Sequence, residues 1–128
     1  MLTVLPIQSK DEQKELCQKC GVDFIENAFA YKANDNGFIG ICQFTFENDT
    51  GYIKNLSYAP NVDDTEAMII MLRAAMSFIN RCGIDPCYID KNGTTEQLLK
   101  LSGFRPNDMG EYFMSLNWFY NTPCNQKD

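Results

Sequence analysis

The chain has 128 residues, 45% of them hydrophobic, 22% charged and 12% aromatic, and this length and composition predict one globular domain over residues 1–128. Its net charge of −6 excludes nonspecific binding to nucleic acid or anionic membrane, since both surfaces would repel it, and favours a cationic partner. The N-terminus has no basic region followed by a long apolar segment, and no eighteen consecutive apolar residues occur, so we expect a cytoplasmic protein without a membrane span.

The chain contains six cysteines and no histidine. The lack of histidine excludes zinc sites that need imidazole, and it excludes Ser-His and Cys-His catalytic pairs. One Cys-x-x-Cys pair, Cys17 and Cys20, has no second pair at ligand spacing. We therefore expect no metal site and interpret this pair as two thiols on the last turn of a helix, with a redox or metal role as the alternative. The cysteines are expected to be reduced and partly buried.

The first half of the chain predicts a strand, a helix and three further strands. MLTVLPI is typical of a short strand, and in SKDEQKELCQKCG the helix begins after Ser9, has Glu12 as in a capping box, and ends at Gly21. DFIENAFAYKA, FIGICQFTFE and YIKNLSYA each favour a strand. The tight turns NDNG and NDTG between them indicate an antiparallel meander.

Residues 60–83 predict the longest helix. Asp63 is placed as its N-cap, Glu66 reaches back three residues later, and Gly83 ends the helix. These acids and Asp64 occupy a helix end where α/β proteins usually receive a phosphate. The apolar residues recur at helical spacing, so we expect a largely buried helix; they are Met68, Ile69, Ile70, Met71, Leu72, Ala75, Met76 and Ile79.

The last third predicts a strand in PCYID, a short helix in TTEQLLKLSG that ends at Gly103, and a final alternating strand in EYFMSLNWFY. The order β-α-β-β-β-α-β-α-β indicates an α/β (α+β) protein with one mixed sheet and helices on its faces. The final strand ends in Trp118, Phe119 and Tyr120. It either contributes the two faces of a terminal strand or pairs or packs across a two-fold axis in a homodimer.

Several of these segments resemble the GNAT acetyltransferases, which transfer an acetyl group from acetyl-CoA to an amine. GFIGICQF is similar to the family's third strand, NLSYAP to the end of its fourth strand, and MLRAAMSFINRCGI to its main helix. Asn92 lies eleven residues before the pair Gly103 and Phe104, as the family's asparagine does, and YFMSL is similar to the closing strand. The resemblance extends to Leu116 and implies the GNAT-like acyl-CoA N-acyltransferase fold.

The resemblance also implies how acetyl-CoA would bind. The family's turn, Gln/Arg-x-x-Gly-x-Gly/Ala, lets the CoA pyrophosphate reach backbone N–H groups, but here the three positions are Asp63, Glu66 and Met68. Two like unit charges 4 Å apart repel by about 1 kcal/mol in water and about 4 kcal/mol at an effective dielectric of 20. Side chains at 66 and 68 would also fill space that the family leaves open, so we expect weakened binding. The residues implied to contact the cofactor are Ser57, Tyr58, Val62, Asp64, Thr65 and Asn92.

Catalytic roles follow from the same resemblance. The family's general-acid tyrosine falls at Leu99, and Tyr88 or Cys87 is the candidate to replace it, unless Tyr88 is an ordinary strand residue. Carboxylates that can accept the proton of an amine, unless they are only surface residues, are Glu26, Glu47 and Asp90. Aromatic residues that either line an acceptor pocket or pack on the sheet are Tyr31, Tyr52 and Tyr58.

Two hypotheses for function follow. In the first, the protein is a divergent GNAT acyltransferase that moves an acetyl or acyl group from acyl-CoA to a small-molecule or protein amine, using the cleft between two strands. In the second, it keeps the fold, has lost CoA binding, and is a non-catalytic binding or regulatory module, because a fold alone does not establish an activity. The second hypothesis is favoured by the replacements at the pyrophosphate-binding turn, Asp63, Glu66 and Met68, and by Leu99 at the tyrosine position. The first is favoured because the family is generally active.

Overall fold

The computed structural model describes residues 1–121 and contains one seven-stranded sheet with four helices. The strands are β1 Thr3–Pro6, β2 Phe29–Asn34, β3 Phe38–Glu47, β4 Thr50–Tyr58, β5 Cys87–Ile89, β6 Arg105–Pro106 and β7 Tyr112–Met114. The helices are α1 Lys10–Cys20, α2 Thr65–Arg81, α3 Glu96–Ser102 and α4 Leu116–Asn121, and a 3-10 turn spans Lys91–Gly93.

The spatial order of the strands is β1-β2-β3-β4-β5-β7-β6. β4 and β5 are parallel, and the other neighbouring pairs are antiparallel. This pattern confirms the predicted meander of β2, β3 and β4 and the predicted mixed sheet. A parallel neighbour for β4 requires a long crossover connection, which α2 provides.

The larger hydrophobic core lies between the sheet and α2. Met68, Met71, Leu72, Met76 and Ile79 of α2 have no exposed surface, which confirms that this helix is largely buried. A smaller cluster lies where α1 packs against β2 and β3, and its fully or nearly buried members include Leu16, Cys17, Ala30 and Ile41. α3 and α4 both contact α2.

Two predicted strands were wrong in part. The segment predicted as a strand over residues 23–33 begins only at Phe29, because the preceding loop bonds to the side chain of Gln43 instead of to a neighbouring strand. The predicted final strand ends at Met114 and continues as α4, since the Ser115 hydroxyl accepts the Trp118 N–H at 3.3 Å and the buried Leu116 anchors the first turn. Strand pairing in a homodimer therefore has no basis in residues 116–121, and packing of this segment across a two-fold axis stays a prediction. The structure also contains two elements that the sequence did not predict, the short strand β6 and the 3-10 turn.

Within residues 1–121, no helix combines the length and apolar character needed to cross a bilayer. Cys17 and Cys20 lie on the last turn of α1, as predicted, and Cys17 is fully buried. Cys42 and Cys87 are buried on the strands, Cys82 is exposed after α2, and all five are free thiols. Cys124 lies outside the described residues.

Candidate active site between β4 and β5

β4 and β5 pair over three residues and then separate. Gly51, Tyr52 and Ile53 lie opposite Cys87, Tyr88 and Ile89, and the Asp90 N–H donates to the Ile53 carbonyl at 2.9 Å. β5 ends at Ile89, whereas β4 continues to Tyr58. Residues 54–58 of β4 therefore have no β5 partner, and we call this gap the splay.

The 3-10 turn lies over the first part of the splay. Gly93 lies so close to the Lys54 carbonyl that a Cβ atom could not be accommodated there. The Ser57 hydroxyl donates to the Gly93 carbonyl at 3.3 Å, and the Asp90 side chain holds the turn by accepting the Asn92 N–H at 2.9 Å. The backbone of the turn thus covers β4 at residues 54–55, three residues before the strand ends.

The N-terminus of α2 is capped by Asp64 rather than by the predicted Asp63. The Asp64 carboxylate accepts the Ala67 N–H at 3.1 Å, and the Asp64 carbonyl accepts the Met68 N–H at 3.2 Å. Asp63 is exposed, and Glu66 lies exposed on the first turn, so the predicted capping box does not form. A carboxylate already occupies this end of the helix dipole, where an anionic ligand would otherwise be stabilised.

Met68 does not fill the space in front of the helix, which corrects the sequence-based expectation. Its side chain is fully buried beneath β3. A Cβ atom on Gly40 would lie 2.7 Å from the Met68 sulfur and 2.5 Å from the Ser57 carbonyl oxygen. Gly40 therefore provides the room that the large side chain at position 68 requires.

Two hydroxyl groups beside the splay are buried without a hydrogen-bond partner among the described residues. They are Tyr58 Oη, at the end of β4, and Thr94 Oγ1, between the 3-10 turn and α3. Burial raises the pKa of Tyr58, the nearby carboxylates of Asp63 and Asp64 raise it further, and the Asp64 backbone N–H, which lies near the hydroxyl without meeting hydrogen-bond geometry, lowers it. Because an unpaired buried hydroxyl is costly, both groups are available to a ligand that enters the splay.

A cavity of about 370 Å³, which we call the splay cavity, opens where the β4–β5 pairing ends. It is lined by residues 52–54, 88–92 and 109–112. Ile53 and Ile89 belong to the core packed on α2, so the alternation of side chains places Tyr52 and Tyr88 on the opposite face of the sheet. The Tyr52 and Tyr88 rings stack at 6.0 Å, and the Tyr88 ring lies 5.9 Å from that of Phe113.

Solved structures of acetyltransferases share this architecture. The IAA acetyltransferase from Bacillus cereus superposes with a TM-score of 0.67 at 18% identity, over 84% of this chain and 79% of its own. An acetyltransferase of the GNAT family from Desulfovibrio desulfuricans gives 0.66 at 10% identity, over 91% and 99%. The PaiA N-acetyltransferase from Thermoplasma acidophilum, solved in complex with coenzyme A, gives 0.60 at 10% identity, over 88% and 97%.

The chain has the GNAT fold. No protein-family model matches its sequence, and the search of curated proteins finds no match. At these identities the likeness to the solved structures establishes the architecture and leaves the site to be argued from the residues themselves.

The structure brings most of the predicted GNAT cofactor residues to one place. Ser57 and Tyr58 end β4, and Asp64 and Thr65 begin α2; Val62 is half-buried in the connection between them. Asn92 lies across the splay, next to the Gly93 carbonyl that Ser57 binds. Their contact with a cofactor stays a prediction.

The predicted catalytic residues are not all together. Tyr88 lines the splay cavity, whereas Glu26 is exposed in the loop before β2 and is not among the residues that line it. Leu99, at the family's tyrosine position, is buried, and burial raises the pKa of the alternative acid Cys87 to about 12. Of the other acids, Asp90 lines the cavity and Glu47 is exposed at the end of β3.

Of the tyrosines predicted for an acceptor pocket, Tyr52 lines the splay cavity, Tyr58 lies on the α2 side of the sheet, and Tyr31 stacks on Phe44. Sequence reasoning missed Lys54, Lys91 and Thr94. Lys54 follows Tyr52 by two residues and so lies on the same face of β4. That this face lines the cavity depends on the pairing of β4 with β5, which the sequence does not show.

Proposed function

We propose that this protein, as one GNAT-like domain over residues 1–128, binds an acyl-CoA by its pantetheine arm in the splay and transfers the acyl group to an amine. The observation that carries this proposal is the end of β4–β5 pairing at Ile53 while β4 continues to Tyr58. Backbone groups at the end of β4 can then bind the amides of a pantetheine arm and polarise a thioester carbonyl.

The buried hydroxyls fit the pantetheine arm. Tyr58 Oη and Thr94 Oγ1 have no partner among residues 1–121, and each can donate a hydrogen bond to an amide carbonyl of the arm. The diphosphate end fits poorly, because the Asp64 carboxylate already accepts the Ala67 N–H that a phosphate oxygen would take. The proposal therefore assigns the binding free energy mainly to the pantetheine.

The acyl thioester would supply an activated carbonyl, and the protein would orient the incoming amine. Tyr88 is the proposed general acid because its side chain lines the splay cavity, whereas the family's position for this role is the apolar Leu99. Asp90 lies at the same cavity and can accept a proton from the amine. Glu26 is exposed in a loop, so we propose it only as a base that acts through water.

A second candidate function is a non-catalytic module of the same fold that does not bind CoA. The self-capped α2 N-terminus and the buried Leu99 favour it, since both remove groups that the reaction would use. Measured affinities for acyl donors separate the two candidates.

The test compares acetyl-CoA with S-acetylpantetheine, which lacks the phosphates, by isothermal titration calorimetry. We expect the two dissociation constants to lie within about threefold of each other, a difference of about 0.7 kcal/mol in binding free energy. The reason is that the diphosphate contributes little to binding. Asp64→Ser keeps a capping oxygen and removes the charge, so it should tighten acetyl-CoA by about tenfold without changing acetylpantetheine. Asp11→Ser, at an exposed acid on the first turn of α1, is the control.

Two outcomes contradict the proposal. If acetyl-CoA binds about a hundredfold more tightly than acetylpantetheine, the helix end does hold the diphosphate. If neither ligand binds at millimolar concentration, the acyltransferase assignment fails and the non-catalytic module stands.

A further inference from the structure

The floor of the splay cavity is aromatic. The rings of Tyr52 and Tyr88 lie 6.0 Å apart with an angle of 21° between their planes, and the partly exposed Phe113 continues the row. Within residues 1–121, neither tyrosine hydroxyl forms a hydrogen bond. The aromatic ring of a ligand can pack against these rings, and the volume of about 370 Å³ suits a small molecule.

Both signs of charge surround this floor. Lys54 and Lys91 line the cavity and are exposed, and neither forms an ion pair within the described part of the chain. The Lys54 ammonium lies 5.2 Å from the centre of the Tyr52 ring. Asp90 and Glu111 each use one carboxylate oxygen within the protein, for the Asn92 N–H and the Asn107 side-chain amide, and each keeps a second oxygen.

We infer that the splay cavity binds a free aromatic amino acid. The ligand's ring packs against Tyr52 and Tyr88, the carboxylate is bound by Lys54 and Lys91, and the ammonium group is bound by Asp90 or Glu111. This arrangement uses both lysines and one of the two acids at the cavity, whereas a simple polyamine would leave the two lysines opposed to a cation. The protein's net charge of −6 does not describe this cavity, where two lysines balance two acids.

If the proposed function is right, the bound aromatic amino acid is the amine that accepts the acyl group, and this part of the inference rests on the proposed function. The amine nitrogen, once deprotonated, forms the amide bond to the acyl carbon while the carbon–sulfur bond of the acyl thioester breaks. The ammonium nitrogen loses two protons in all: Asp90 accepts the first, directly or through water, and the released thiolate takes up the second, directly or through a cavity side chain. Binding of the amino acid itself does not depend on this step.

The test measures binding of L-tryptophan, tryptamine and indole-3-propionate to the purified full chain by isothermal titration calorimetry at low salt. Tryptamine lacks the carboxylate and indole-3-propionate lacks the amine. We expect each analogue to bind about tenfold more weakly than tryptophan, because each loses charge-assisted hydrogen bonds. Lys54→Met and Lys91→Met should each weaken tryptophan by about threefold to tenfold and should not weaken tryptamine, which has no carboxylate and gains from the loss of a like charge.

Lys14→Met is the matched control, since Lys14 is an exposed lysine on α1 and does not line the cavity. Both cavity lysines are exposed, so unfolding midpoints of the variants should equal that of the wild type. The inference is overturned if tryptophan does not bind at about 10 mM, or if either analogue binds as tightly as tryptophan.

The two proposals fail separately. Binding of acetylpantetheine without binding of tryptophan overturns the aromatic amino acid as ligand and keeps the acyltransferase. Binding of tryptophan without binding of any acyl thioester overturns the acyltransferase and leaves an aromatic amino acid-binding module with the GNAT fold.

Discussion

Asp64 determines where α2 begins. Its carboxylate accepts the Ala67 N–H at 3.1 Å, so Asp64→Ala should lower the free energy of unfolding by about 1 kcal/mol, whereas Asp64→Ser should change it by only a few tenths. Urea denaturation measures both. Asp63→Ala is the control, because Asp63 is exposed and does not cap the helix. A loss from Asp63→Ala as large as that from Asp64→Ala would place the cap at position 63.

The one-residue error in the predicted cap has a local cause. Asp63 and Asp64 are equally good capping residues, and only the path of the chain selects between them. Asn61 adopts a left-handed conformation with φ 63°, and the Val62 N–H donates to the Ala59 carbonyl at 3.4 Å, so the chain turns before it enters the helix. Neither feature is specified by the capping pattern.

At the scale of elements, Gln43 joins β3 to α1 and to the loop before β2. Its side-chain oxygen accepts the Gln13 amide at 2.8 Å and the Ile25 N–H at 3.1 Å, and its amide donates to the Asp23 carbonyl at 2.8 Å. The side chain is fully buried. This network explains why residues 23–28 form a loop although their composition favours a strand.

Gln43→Leu should lower the free energy of unfolding by about 2 kcal/mol or more, because it leaves the Ile25 N–H and the Asp23 carbonyl without this partner at about 1 to 3 kcal/mol each. Gln13→Leu together with Gln43→Leu should cost less than the sum of the single changes, since the two side chains bind each other. Urea denaturation of the four proteins gives the coupling. Gln18→Leu, at an exposed site on α1, is the control, and additive losses would contradict the network.

At the scale of the whole molecule, the core should make stability depend on alkaline pH. Cys42 and Cys87 have no exposed surface; burial raises the pKa of Cys87 to about 12 and that of Cys42 well above its ordinary value. In the unfolded chain both thiols ionise near pH 8.5, so above that pH the unfolded state binds fewer protons and the free energy of unfolding falls. Each thiol contributes about 1.4 kcal/mol per pH unit.

We therefore expect a loss of about 2 to 4 kcal/mol between pH 8 and pH 10 from these two thiols, measured by urea denaturation. The variant Cys42→Ala/Cys87→Ala is less stable at every pH because it leaves cavities, but it should lose this part of the pH dependence. Equal slopes in the two proteins would mean that the thiols do not titrate differently on unfolding.

The sequence by itself determined the meander, the buried α2 and the order of the elements up to α3, because hydrophobic period and turn residues act within a few positions. The resemblance to the GNAT acetyltransferases supplied the residues of the candidate cofactor site, and their contact with a cofactor stays a prediction. The tertiary structure decided what sequence patterns could not: the β4–β5 register that brings Tyr52, Tyr88, Lys54 and Lys91 to one cavity, the fit of Met68 against Gly40, and the helix after Ser115. Each depends on contacts between residues far apart in the chain, where packing and hydrogen bonding override local preference.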